Sequence, residues 1–145
     1  MKKWTAWVCL LLLVLAAGCG QRPAETAQNK WGVALTAENV TPTGLTIVCR
    51  QSGGENVAEL LTGSFYVVQK REGTDWVDVQ TECDVMWTME AWVIRKGTST
   101  SWEVNWEGLY AKLTAGEYRI GKEIMKSRGA GDYDKEMVYA EFAIP

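Results

Sequence analysis

The chain has 145 residues, with 18 acidic and 15 basic side chains and no histidine. The missing imidazole excludes Ser-His-Asp and Cys-His catalysis, histidine metal centres and histidine pH sensing. The acidic balance lacks the basic footprint that phosphate backbones require, so no nucleic-acid partner is expected.

Lys2-Lys3 precede twelve uncharged, mostly apolar residues, Ala6 to Ala17, followed by Gly18 and Cys19. A charged n-region, a short h-region and a small-residue cleavage site make an export signal. The run is too short for a membrane-spanning helix, which needs about 20 residues. Leu15-Ala16-Ala17-Gly18-Cys19 resembles the lipobox of bacterial lipoproteins. That resemblance implies cleavage between Gly18 and Cys19 and a diacylglyceryl thioether on Cys19. Two acyl chains anchor stably where one binds only marginally. A plain secretory signal or an uncleaved anchor is the alternative. The expected place is the cell membrane, lipid-anchored on the extracytoplasmic face, and the membrane is the first expected partner.

Loss of residues 1–18 takes Lys2 and Lys3 with it and leaves 127 residues, 13 basic and 18 acidic, at a formal net charge of −5. That length suits one domain. Gly20 to Lys30 is polar with no apolar periodicity, so residues 19–30 read as a flexible tether and residues 31–145 as the domain.

From Trp31 the chain is a series of short β-like runs broken by turn chemistry. Trp31 to Val40 is a first strand, ended by Thr41-Pro42-Thr43-Gly44. Leu45, Ile47 and Cys49 then alternate with Thr46, Val48 and Arg50, up to a loop at Gln51-Ser52-Gly53-Gly54-Glu55-Asn56. Ser64 to Lys70 and Trp76 to Gln80 form a hairpin about Arg71-Glu72-Gly73-Thr74-Asp75. Val85 to Arg95 reads as a strand apolar on both faces, with Trp87, Met89, Ala91 and Val93 opposite Met86, Trp92 and Ile94. Trp102, Val104 and Trp106 alternate as a strand, and a helical turn over Gly108 to Lys112 is expected to follow. A helix template, Trp102-Trp106-Leu109-Leu113, competes with that strand. Leu113 to Ile120 reads as a turn entering a strand that runs to about Met125, then comes a hairpin loop over residues 127–134, then a closing strand with Val138, Ala140, Phe142 and Ile144 on one face. About seven strands and no secure long helix predict an all-β antiparallel sandwich.

Leu113-x-x-Gly116-x-Tyr118-Arg119-Ile120, followed by a hairpin and a strand ending Ala140-Glu141-Phe142-Ala143-Ile144, resembles the F–G end of bacterial immunoglobulin-like domains of the Big type, group 14 among them. Thr41-Pro42-Thr43-Gly44-Leu45-Thr46 resembles the A–B connection of the same family. The resemblance covers residues 31–145 and implies an immunoglobulin-like β-sandwich. It also implies a tyrosine corner at Tyr118, with the hydroxyl bonded to backbone just upstream. In particular the chain resembles small lipoproteins of gut Gram-positive bacteria, and related domains accompany some membrane sensor peptidases. The antibody-type bridge joins strands B and F, and Cys83 lies well before strand F, so that hallmark disulfide is absent. Cys49 and Cys83 either form a local bridge, worth about 3–4 kcal/mol on the chain-entropy model, or stay apart with a buried thiol acting as a small hydrophobe.

Six tryptophans remain after residue 18. Indoles fill sandwich cores, as expected for Trp102 and Trp106, and they also grip sugars, cations and protein partners. A sandwich face normally meets water. The two-faced run is therefore either covered or an exposed binding patch carrying Trp92 and Ile94, or Trp87 if the faces are reversed. Asp132-x-Asp134-x-Glu136 has alternating oxygen ligands but lacks the rest of an EF-hand, and two cysteines leave a zinc shell half empty. No metal and no cofactor is expected. Ser127-Arg128-Gly129 is not a nucleophile elbow, and Glu90, Glu103 and Glu107 belong to no catalytic motif, so no enzyme is expected. The favoured function is a monomeric, non-catalytic surface lipoprotein binding a protein partner, an adhesion or sensing accessory. The alternative is a carbohydrate- or peptidoglycan-binding module using exposed tryptophans.

Overall fold

The computed structural model describes residues 27–54 and 59–145; the expected export signal, Cys19 and most of the expected tether lie outside the described residues. Eight strands follow one another: β1 (Val33–Thr41), β2 (Gly44–Gln51), β3 (Leu60–Glu72), β4 (Asp75–Asp78), β5 (Ala91–Ile94), β6 (Ser99–Asn105), β7 (Gly116–Gly129) and β8 (Asp132–Ile144). They form two antiparallel sheets. One has the order β1-β2-β6; the other has β4-β3-β7-β8, with β5 also pairing β3.

Alternation explains the core. Val33, Leu35 and Ala37 of β1 and Leu45, Ile47 and Cys49 of β2 are buried, and so are Leu60, Tyr66 and Val68 of β3. Tyr118, Ile120 and Ile124 of β7 meet Val138, Ala140, Phe142 and Ile144 of β8 on the same inner face. Two apolar half-faces thus close on each other, as strand periodicity requires. Two irregularities shape the ladders. β1 carries one extra residue between Glu38 and Thr41, where Asn39 adopts φ 50° and its amide donates to Thr46 Oγ1 at 3.2 Å. Short polar side chains tolerate that conformation. In β3 the ladder to β7 breaks between Thr62 and Tyr66, with three residues opposite the single Glu123. The surplus is two residues, so Thr62 and Tyr66 both still face inward.

Both ends of the sandwich are tied by buried polar groups. At the entry end the Gln51 amide donates to the carbonyls of Trp31 (3.0 Å) and Gly53 (2.5 Å), and its oxygen accepts from Gly97 N–H at 3.0 Å. At the far end Trp106 Nε1–H and Leu113 N–H both donate to the Pro42 carbonyl at 3.0 Å. β1 begins at the entry end beside the end of β2, and β8 finishes at the far end beside the start of β7.

Several sequence expectations change. Val85 to Glu90 is not strand; only Ala91 to Ile94 pairs, along Leu60 to Gly63 of β3. The expected helical turn is a single turn that begins earlier, at Trp106, with Leu109 and Tyr110 N–H both donating to the Trp106 carbonyl. The expected hairpin loop over residues 127–134 shrinks to a turn at Ala130-Gly131, because the β7–β8 ladder runs on to Gly129 and Asp132. Ordered backbone starts before Trp31: Asn29 Oδ1 accepts from the N–H groups of Trp31 (3.0 Å) and Val33 (2.9 Å).

Candidate functional site

The outward faces of the two sheets differ. On the three-stranded sheet the outward residues are mainly polar: Thr36, Glu38, Thr46, Arg50, Ser101 and Glu103. On the five-stranded sheet, register places Phe65, Val67, Tyr139 and Met137 on one face, with Leu61, Val93 and Met125 continuing it and the Glu123–Lys135 ion pair, at 3.0 Å, set among them. Phe65 and Val93 are exposed, and the other apolar side chains are half-buried only by their neighbours. At one edge the loop between β4 and β5 adds Met86, 94% exposed, and the fully exposed Met89. At the other end of this face the Arg119 guanidinium lies 4.7 Å from the Trp76 ring centre and 4.0 Å from that of Tyr139. Its Nε–H donates to Gln69 Oε1 at 2.6 Å. Planar stacking of this kind holds Arg flat against aromatic rings.

Trp87 is half-buried in the loop, edge-on to Phe65 (5.4 Å) and Tyr66 (5.0 Å). It therefore borders this apolar face. Trp92 and Ile94 do not. The four-residue β5 turns both inward and leaves Ala91 and Val93 outside, so Ile94 is core and the expected Trp92–Ile94 patch does not exist.

Trp92 instead stacks on Trp102 at the open edge between β5 and β6, centroids 6.0 Å apart and planes 26° apart. The two indoles cover each other instead of presenting free coplanar faces to a sugar. Beneath them lies Lys122, only 3% exposed, its Nζ 5.1 Å from the Trp92 ring centre and 5.8 Å from that of Trp102. The ammonium donates to the Gly63 carbonyl, which the break in the β3–β7 ladder leaves free. Burial pushes the lysine down from its ordinary value to about 8, opposed by the neighbouring Cys49. A cavity of about 140 Å³ lies here, lined by Ile47, Tyr66, Trp92, Trp102, Asn105 and Lys122 among others. Sequence reading passed over Lys122, although Tyr118-x-Ile120-x-Lys122-x-Ile124 places it on the inward register.

Cys49 and Cys83 are both free thiols. Cys49 points into the core from β2, whereas Cys83 is exposed on the loop with its Sγ 3.4 Å from the Gly108 carbonyl oxygen, so of the two alternatives the thiols stay apart and Cys49 packs as a small hydrophobe. Burial pushes the Cys49 thiol up to about 11. The Tyr118 hydroxyl donates to the Thr114 carbonyl at 2.9 Å. Asp132 and Asp134 both pair with Arg128, at 2.7 Å and 3.3 Å, and Glu136 approaches Lys30 at 3.8 Å. These carboxylates are thus engaged by Arg128 and Lys30, and among the described residues no group of acidic, cysteine or histidine side chains converges as a metal site.

Two facing antiparallel sheets, with a tyrosine hydroxyl closing the turn into β7, define an immunoglobulin-like sandwich. The chain belongs to the bacterial Ig-like domain family, whose pattern it matches over residues 29–143. Domains of this family are in general non-catalytic modules of the bacterial exterior. No curated protein and no solved structure matches the chain.

Proposed function

We propose that the protein is a non-catalytic lipoprotein, anchored through Cys19 to the extracytoplasmic face of the membrane, that binds a protein partner with the outer face of its five-stranded sheet. The observation that carries this reading is the asymmetry of the two outer faces. One is polar; the other aligns Phe65, Val67, Val93, Met137 and Tyr139, extended by Met86 and Met89. Apolar side chains gathered on one exposed face, here crossed only by the Glu123–Lys135 pair, mark an interaction site. Methionine and aromatic side chains suit it, because they are enriched at protein interfaces. The lipobox resemblance supports the anchor.

The test is site-specific photo-crosslinking of the full-length protein on intact cells. A photoreactive residue at Phe65 or Val93 should give a discrete protein adduct, and one at Ser101 on the polar face should not. Adducts equal at all three positions, or none at any, would overturn the reading. Labelled fatty acid should be incorporated into the protein and not into the Cys19→Ala variant; equal labelling of the two, or none of the native chain, would remove the lipid anchor.

A further inference from the structure

We propose that the cavity beneath Trp92 and Trp102 is a binding site for a small carboxylate, its anion paired with the Lys122 ammonium and its carbon body held between the cavity's apolar walls. Among the described residues no carboxylate lies within ion-pair distance of Lys122. A buried cation without a counter-ion is costly, and chains retain one rarely. The charge is not needed for the ladder break. Next to it the neutral hydroxyl of Thr62 satisfies the Glu123 carbonyl at 2.8 Å, and a hydroxyl would serve the Gly63 carbonyl equally well. With one proton given to Gly63, the ammonium keeps two donors.

The surroundings select the ligand. The facing groups are the Cys49 thiol from β2 and the Tyr66 phenol from β3, both held neutral by burial. β5 contributes the Trp92 indole and β6 the Trp102 indole, while the Glu103 side chain, next in β6, is on the outer face of the sheet by register. A doubly charged phosphate would meet too few donors, since among the described residues the only cation lining the cavity is Lys122. A single carboxylate needs fewer donors, and its alkyl part suits Ile47 and the indoles. About 140 Å³ is the share of liquid volume of four or five waters at about 30 Å³ each, room for the head of an organic acid or for a chain-terminal carboxylate.

The two sources are separated by the probes. Full-length protein in detergent, with labelled lysine and tryptophan, is titrated by NMR with propionate and with N-acetylalanine, each against its amide. The expected result is a saturable shift of the Trp92 and Trp102 indole N–H signals with a carboxylate and none with its amide. Response to propionate alone assigns a free small acid; response to N-acetylalanine as well assigns a chain terminus. Pairing should raise the Lys122 midpoint, and affinity should fall about tenfold per pH unit once pH exceeds the free midpoint near 8. Lys122→Met, close in volume and apolar, should abolish the response. Trp92→Phe, which keeps the charge, should weaken it severalfold. Equal shifts from acid and amide, no saturable shift, or an unchanged response in a folded Lys122→Met variant would each overturn the proposal.

Discussion

Gly121 on β7 lies directly under the ring of Tyr139 on β8: a Cβ at position 121 would come within 2.7 Å of Tyr139 Cε1 and 2.9 Å of Met137 Cε. The glycine therefore lets the tyrosine lie flat on the sheet, where it stacks on Arg119. Gly121→Ala should expel the ring and cost about 1–2 kcal/mol by overpacking, read as a lower urea midpoint with an unchanged slope. Both contacts are side-chain ends, so the ladder should survive. Gly44→Ala should cost more, because its Cβ would meet the backbone carbonyl of Val104 across β2–β6.

Tyr118→Phe removes the donor to the Thr114 carbonyl while leaving the ring stacked on Phe142 at 5.7 Å. Loss of one such bond should destabilise the domain by about 1 kcal/mol. A stability unchanged in urea unfolding would show that water replaces the hydroxyl without loss.

The two free thiols should separate cleanly. Cys83 is exposed, whereas Cys49 is buried and pushed up to about 11. Since the thiolate is the reacting form, a thiol reagent at neutral pH should label Cys83 quickly. Cys49 should react only when the chain unfolds. Equal rates in the folded protein would contradict the packing of β2.

Lys122 makes stability depend on pH with a defined sign. Its folded value, about 8, lies below the ordinary 10.5, so between these limits the folded state binds fewer protons than the unfolded chain. Stability from this group therefore rises with pH across that window. Cys49 and Tyr66, pushed up to about 11 and 12, act oppositely above their ordinary 9 and 10 and hide the rise in the native protein. Comparison with Lys122→Met should expose it. The variant's relative stability should drop by about 3 kcal/mol from pH 7 to pH 10.5. A constant difference would mean that the amine keeps its ordinary affinity for protons.

Sequence reading located the framework where alternation was clean. The inward sets Leu45-Ile47-Cys49 and Val138-Ala140-Phe142-Ile144 were visible as period-two runs, and both are buried. The run from Val85 to Arg95 misled because apolar residues on both sides look the same in a doubly covered strand and in a loop laid across a sheet edge. Met86 and Met89 proved to be solvent-facing loop residues. The apolar outer face was hidden for another reason. Phe65, Val93, Met137 and Tyr139 come from three strands, and only register brings them together. Lys122 was legible in its own strand, but its significance lies in Trp92, Trp102 and Gly63, none of them near it in the chain.

β1 enters at one pole of the sandwich and β8 leaves at the other. A pull between Val33 and Ile144 therefore runs along the strands. It loads the β1–β2 and β7–β8 hydrogen bonds together in shear, whereas a hairpin pulled from adjacent ends would unzip them one by one. Force applied at those two ends meets the bonds of each ladder in parallel, so the domain resists stretching along its strands.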